Sequence, residues 1–206
     1  MGSASETETL VRELRRAVRG EVRFDAVSRA LYSTDASIYE IEPIGVILPR
    51  DADDVQAALE TTRRAGVPVL PRGGGTSLAG QAVGRAVVMD FSKYMNRIVE
   101  VNAEAGWARV QPGVVRSDLA AALAPHKMIF GPETSTANRA TIGGMIGNNS
   151  SGSRSLVYGK TIDSVRSVRA LLAGGEAVTF GPVEPEQVAV RASREDAEGV
   201  LYRRIP

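Results

Sequence analysis

Cysteine is missing from this chain of 206 residues, and histidine and tryptophan occur once each. Without cysteine there are no disulfides, thiolate metal sites or thiol nucleophiles, which fits a reducing compartment. A basic excess is missing too: 25 basic side chains face 24 acidic ones, for a net charge of +1. That leaves little to neutralise a phosphate backbone, so a nucleic-acid partner is not expected. No window approaches the ~18 apolar residues of a membrane span. The opening MGSASETETL puts Glu6 and Glu8 where a signal peptide needs an apolar run. Glu6 also occupies the place where the myristoylation pattern wants serine or threonine. These absences predict a soluble, cytoplasmic protein with no membrane span.

Glycine is abundant, with 21 residues, about a tenth of the chain against a usual ~7%. Hydrophobic residues at 43% and charged residues at 24% are ordinary for a globular protein, and the length suffices for a buried core. Leu10, Leu14 and Val18 repeat at helical spacing, so residues 6–19 read as an amphipathic helix. Residues 24–42 are irregular, with a short helix before Tyr32. IGVILP (44–49) reads as a buried strand, and Asp51 as the cap of a helix that Gly66 stops. VPVLP (67–71) is a second strand, completing a βαβ unit with parallel strands. AVVMDF (86–91) is a third strand, and 97–102 with 107–111 an antiparallel hairpin. Val115, Leu119, Ala122 and Leu123 mark another helix, followed by a long polar, glycine-rich stretch at 130–152. Residues 164–181 read as two strands around Gly174-Gly175, and the acidic remainder as helical. No internal repeat or low-complexity segment is evident.

Two glycine runs carry the functional signal. Gly73, Gly74 and Gly75 follow a buried strand directly and are flanked by Arg72, Thr76 and Ser77. Backbone without side chains lets several N–H groups converge on one anion, so the run reads as a cradle for phosphate or pyrophosphate. A flexible turn is the plainer reading, which the flanking residues disfavour. Gly74→Val is expected to abolish that binding while leaving most of the fold intact. The run is not a P-loop: Gly75 and Gly80 have its spacing, but Gln81-Ala82 follows instead of lysine and a hydroxyl residue. Gly159-Lys160-Thr161 has the right ending but Arg154 where the first glycine belongs. The Rossmann fingerprint fails as well, with Leu78 at its third glycine. TIGGMIGNNSSG (141–152) brings backbone close to something a second time, about 70 residues later. Its plainer reading is a packed helix start with a polar loop. Two such segments in a small domain suggest one extended ligand held along its length.

In order, PRGGGTSLAGQ, VVMDF, the Val110-Gln111-Pro112-Gly113 hairpin end, FGPETS, TIGGMIGNNSSG, YGKT and a Gly-Gly hairpin resemble the FAD-linked oxidases with a vanillyl-alcohol-oxidase (PCMH) type flavin domain. The resemblance covers roughly residues 30–180 and is strongest to the D-2-hydroxy-acid dehydrogenases acting on D-lactate, glycolate or 2-hydroxyglutarate. YSTDASIYEIEPIGVILPRD (32–51) is similar to long members with a downstream iron–sulfur region. The resemblance implies an α+β fold: a two-lobed FAD-binding domain at 44–181. A smaller βαβ-containing lobe (44–112) and a larger mixed-sheet lobe (113–181) would hold FAD between them. An N-terminal helical arm (1–43) would precede it, and 182–206 would begin a helical insertion or connection.

By the same resemblance, Arg72, Gly73, Gly74, Gly75, Thr76 and Ser77 would hold the pyrophosphate, with Leu78 and Gln81 near the flavin. Pro132, Glu133, Thr134 and Ser135 would line the flavin and its ribityl chain, although relatives often have aspartate where Glu133 stands. Thr141, Gly143, Gly144, Asn148 and Ser150 would run beside the cofactor, and Val168 would pass near the adenine. Covalent members carry histidine where Thr76 stands, so the FAD is expected to be non-covalent. The implied reaction is oxidation of a D-2-hydroxy acid to a 2-oxo acid, with hydride passing to the flavin. The acceptor of the electrons is not legible beyond the iron–sulfur likeness.

The resemblance also implies that a final flavin-domain segment and the substrate domain lie beyond residue 206. No catalytic residue or metal ligand is therefore assigned in this chain, which alone would be inactive. Two alternatives stay open: a flavin reductase of the enolpyruvyl nucleotide-sugar type, and a flavin-binding fragment with no activity of its own. His126 reads as a solvated helix end, Trp107 as hairpin packing, and Arg12, Arg15, Arg16 and Arg19 as a solvated or docking face. Asp90 is either structural or near the ligand.

Overall fold

A computed structural model describes residues 4–205, which divide into two units, one ending at Ser164 and the other starting at Val165. In the first, helix α1 (Ala4–Ala17) leads to strand β1 (Glu21–Arg23), helix α2 (Ala26–Leu31), strand β2 (Gly45–Leu48) and helix α3 (Ala52–Arg64). Strands β3 (Val69–Arg72) and β4 (Val87–Asp90) follow, then a hairpin of β5 (Ile98–Asn102) and β6 (Trp107–Val110). Helices α4 (Arg116–Leu123), α5 (Ile142–Asn148) and α6 (Ser155–Tyr158) complete the unit.

One sheet has the order β1-β2-β4-β3. β2 and β3 are parallel, as the βαβ reading predicts, but β4 lies between them and pairs in parallel with both. β2 and β4 are buried along their whole length, which explains runs of Val, Ile, Leu and Met without alternation. β1 pairs antiparallel with β2 at the edge. Sequence reading missed it because three residues with two charges offer no periodicity. The mixed sheet is thus complete by Asp90, and the later strands form separate antiparallel hairpins.

Parallel neighbours need a long crossover, usually a helix. Between β3 and β4 the chain uses residues 73–86 instead, and the first glycine run begins that return at the carboxyl end of β3. A second apolar cluster of Val114, Leu119, Leu123, Ala140, Ile142 and Met145 gathers α4, α5 and the inner face of the hairpin.

α1 packs on α3, burying Leu10 and Leu14 against a helix that buries Val55 and Ala58. Asp51 caps α3 by accepting from the Asp54 N–H at 3.1 Å, and Gly66 ends it at φ +65°. Asp54, 2% exposed, accepts from the backbone N–H groups of Arg19 and Arg50, both at 2.9 Å. It thereby ties the turn after α1 to the end of β2. In the second unit, β7 (Val168–Leu171) and β8 (Ala177–Phe180) form the expected hairpin, with Gly175 at φ +95°. Helices α7 (Pro185–Ala192) and α8 (Ala197–Arg204) pair through the Arg191–Glu198 ion pair at 3.2 Å.

Two stability predictions follow from these contacts. Asp54→Ala removes the buried acceptor shared by two backbone N–H groups and should cost about 1.5–3 kcal/mol in urea unfolding. A loss under 0.5 kcal/mol would mean the carboxylate is not the tie. Hydrogen bonds from Lys93 and Tyr94 (2.5 Å for the latter), with a further one from Arg23 (2.7 Å), hold the Glu21 carboxyl at about 2. A depressed carboxylate pKa stabilises the fold above its unfolded value of 4.5, and the contribution fades as pH falls from there to about 2. Glu21→Gln should therefore flatten the acid limb of the stability–pH curve across that window, as acid titrations followed by circular dichroism would record.

Candidate functional site

The carboxyl end of the sheet opens into a cavity of about 910 Å³ lying wholly within the first unit. Ligands of open parallel sheets sit at that end of the strands. One wall is the first glycine run. The N–H groups of Gly74, Gly75, Thr76 and Ser77 find no acceptor among the described residues. Backbone donors left unpaired at a cavity wall are an anion nest. The Ser77 hydroxyl shapes the turn by accepting from the N–H groups of Ala79 (3.2 Å) and Gln81 (3.3 Å).

The opposite wall is the second glycine segment. Thr141 caps α5, its hydroxyl accepting from the Gly144 N–H at 3.3 Å. Asn149 ends the helix in the left-handed region at φ 45°. Residues 140–143 are threaded against 112–116, with the Gly143 N–H on the Pro112 carbonyl and the Ile142 N–H on the Val114 carbonyl, both at 2.8 Å. The polar stretch at 130–152 thus contains a helix, the plainer of the two readings made from sequence for its glycine run.

The two walls touch at their base. A Cβ on Gly73 would lie 2.0 Å from the Thr141 hydroxyl, and one on Gly74 would lie 2.2 Å from the Arg139 carbonyl. A valine at Gly74 would therefore meet backbone, so its effect on binding would come with a local parting of the two loops. Across the cavity, Gln81 Nε2 donates to Asn148 Oδ1 at 3.0 Å.

Of the residues expected at the cofactor, Arg72, Gly73, Gly74, Gly75, Thr76, Ser77, Leu78, Gln81, Thr134, Ser135, Thr141, Gly143, Gly144, Asn148 and Ser150 line this cavity. Pro132 and Glu133 do not. Pro132 is buried and its carbonyl accepts from Arg116 Nε at 3.3 Å, while Glu133 pairs with Arg154 at 3.2 Å. Val168 belongs to the second unit, paired with Phe180. Arg72 lines the cavity, but its terminal nitrogens donate to the carbonyls of Ala82 (2.7 Å) and Thr34 (2.8 Å). Sequence reading did not assign Phe91, Pro112, Thr136 and Met145 to the site; of these, only Thr136 stood outside the recognised motifs.

His126 closes a short 3₁₀ turn and is exposed, away from the cavity lining. Among the described residues no group of carboxylates and histidine could hold a metal, and no helix is long and apolar enough to cross a membrane. The arrangement suits a long, anionic, polar-edged ligand. The free N–H groups await acceptors, and the buried Thr134 hydroxyl also lacks a partner. A dinucleotide such as FAD meets each of these demands, and the cavity volume is of the right order.

Comparison with known proteins agrees. Residues 43–181 match the FAD binding domain family. Over 188 residues the chain is 41% identical to a D-2-hydroxyglutarate dehydrogenase of Pseudomonas putida, covering 90% of this chain and 19% of that protein. Over 177 residues it is 37% identical to the glycolate oxidase subunit GlcD of Bacillus subtilis, covering 84% of this chain and 37% of that one. The chain thus spans about a fifth of the length of the dehydrogenase. Among solved structures, p-cresol methylhydroxylase with substrate bound superposes with a TM-score of 0.73 at 17% identity, over 87% of this chain and 36% of that one. Wild-type BBE-like 1 of Physcomitrella patens gives 0.71 at 22%, over 84% and 37%. These two likenesses establish the fold.

Gly147 offers a clean probe of the cavity. It lines the wall, and a Cβ there meets no atom within 4 Å. Gly147→Leu should keep or raise the melting temperature, since leucine is the better helix former by roughly 0.5–1 kcal/mol. It should also weaken FAD binding at least tenfold in a fluorescence titration. Undiminished affinity in a folded variant would place the ligand elsewhere.

Proposed function

The chain belongs to the FAD binding domain family, and we propose that it is the cofactor-holding part of a flavoprotein dehydrogenase that oxidises a D-2-hydroxy acid to the 2-oxo acid. The observation that carries this reading is the pair of glycine segments meeting across one cavity, in a chain 41% identical over 188 residues to a D-2-hydroxyglutarate dehydrogenase. FAD, when bound, supplies the hydride acceptor. The contribution of this chain is position and electrostatics. The free N–H groups of residues 74–77 would bind the pyrophosphate. The unpartnered Thr134 hydroxyl would satisfy a polar atom further along, and Gln81 with Asn148 would close over the cofactor from both walls.

The FAD would be held without a covalent bond, since Thr76 offers no imidazole to anchor it. Glu133 and Pro132 would act behind the cavity, by fixing the backbone that presents Thr134. The substrate carboxylate and α-hydroxyl would be handled by protein outside the described cavity, and the electrons would pass to a separate acceptor, an iron–sulfur region being the fitting candidate. A cytoplasmic location is part of the same proposal. The relatives named above are hydroxy-acid enzymes by name, which favours this reading over a nucleotide-sugar reductase.

The product of the whole gene, loaded with FAD and kept anaerobic, should bleach at 450 nm with D-2-hydroxyglutarate, glycolate or D-lactate. It should stay yellow with NADPH. Bleaching by NADPH alone would overturn the hydroxy-acid assignment while leaving the FAD cradle standing.

A further inference from the structure

The outer side of the glycine loop is braced by a segment that no functional reading has used. Residues 32–40 leave α2 and fold over, closed by the isolated bridge between Thr34 and Glu40. They then run along the back of the loop. The Ala36 N–H donates to the Gly75 carbonyl at 3.0 Å, and the Ala82 N–H donates to Asp35 Oδ2 at 3.3 Å. The Tyr39 ring fills the space beside Gly80, where a Cβ would lie 2.6 Å from it.

At the root of this strap stands Tyr32. Its hydroxyl donates to Asp90 Oδ2 at 2.6 Å, across 58 residues of sequence, and Asp90 is 7% exposed. The other Asp90 oxygen accepts from the Ser92 N–H at 2.7 Å. The Arg72 guanidinium lies over the Tyr32 ring, 5.3 Å from its centre. Arg72 and Asp90 are register partners at the ends of β3 and β4, so the tyrosine bridges two opposite charges at the mouth of the sheet. Burial, helped by Asp90, pushes the phenol well above its ordinary value, so it remains a donor at any working pH.

We propose that Tyr32 is a positioning residue for the pyrophosphate cradle. Held by Asp90 and stacked against Arg72, it fixes the strap whose Ala36 N–H turns the Gly75 carbonyl outward. That turns the Thr76 N–H of the same peptide unit away from the strap, beside the unpaired N–H groups of Gly74, Gly75 and Ser77. Arg72 serves the same end, spending its donors on the strap and the returning chain while its charge lies behind the loop. A Cβ on Gly75 would sit 2.6 Å from its Nη2. The inference rests on the FAD reading and deepens it.

The test is FAD titration of the apoprotein of the whole gene product, and of its Tyr32→Phe, Arg72→Lys and double variants. Visible circular dichroism of each FAD-saturated complex and urea unfolding of each apoprotein accompany it. Each single change should weaken FAD binding about tenfold, the loss of one charge-assisted hydrogen bond. The double variant should lose less than the product of the two, because both act through one strap. Saturated complexes should keep the wild-type flavin spectrum, since only the phosphate end is disturbed. FAD affinities within twofold of wild type in folded variants would overturn the proposal. So would a changed flavin spectrum, which would mark a general loosening of the structure. If Tyr32→Phe does not fold, Arg72→Lys carries the same readings alone. Failure of the wild-type product of the whole gene to bind FAD at all would overturn the cofactor reading, and this inference with it.

Discussion

The site depends on the direct approach of two stretches of backbone. Gly73 and Gly74 lie against Thr141 and the Arg139 carbonyl with no room for a methyl group between them. Glycine is destabilising in a folded chain because it gives up the most freedom on ordering, so consecutive glycines persist only where nothing larger fits. Here they let a loop leaving the sheet touch a segment about 65 residues further on. Thr141 serves the contact from the other side, since its hydroxyl both abuts Gly73 and caps α5. Neither wall would hold its shape without the other.

The sheet order places that contact at the ligand end. β4 inserts between β2 and β3, so the chain leaving β3 must travel the length of the sheet before it can pair again. A helix would normally fill the crossover and cover the sheet. Residues 73–86 instead begin as an open loop at the carboxyl end, held by Arg72, by Asp35 and by the Ser77 turn. The buried faces of β2 and β4 supply the rigidity, and the loop supplies unpaired donors. Stability and binding are thus assigned to neighbouring parts of one crossover.

Much of this was legible because the chemistry was local. The cap at Asp51, the stop at Gly66, the Gly174-Gly175 hairpin and the glycine runs all follow from φ and N–H demands within a few residues. Features set by distant partners were not legible. Nothing in VVMD says that it will part β2 from β3, because strand order is decided by long-range pairing. Gly74 reads as room for a phosphate, yet the atom against it is the Arg139 carbonyl. Glu133 reads as a lining residue, yet Arg154 draws it aside. Nothing in the sequence joins Tyr32 to Asp90, its partner 58 positions away. The second segment was legible as a helix start, and Ile142 and Met145 share the buried face that holds that short helix in place.

A chain of net charge +1 is a poor electrostatic attractor for a dinucleotide carrying two phosphates. The attraction must therefore come from oriented dipoles and a few placed charges. A peptide unit presents its N–H and its C=O to opposite sides, so holding the Gly75 carbonyl on Ala36 turns the Thr76 N–H away from the strap. The guanidinium beside that loop pairs with backbone carbonyls, and no ion pair to a carboxylate is formed by Arg72 among the described residues. Its charge acts on Asp35, whose carboxyl it helps hold below the usual range, as well as on the loop it backs. Such an arrangement would bind phosphate without a basic surface, which would reconcile the balanced composition with an anionic cofactor.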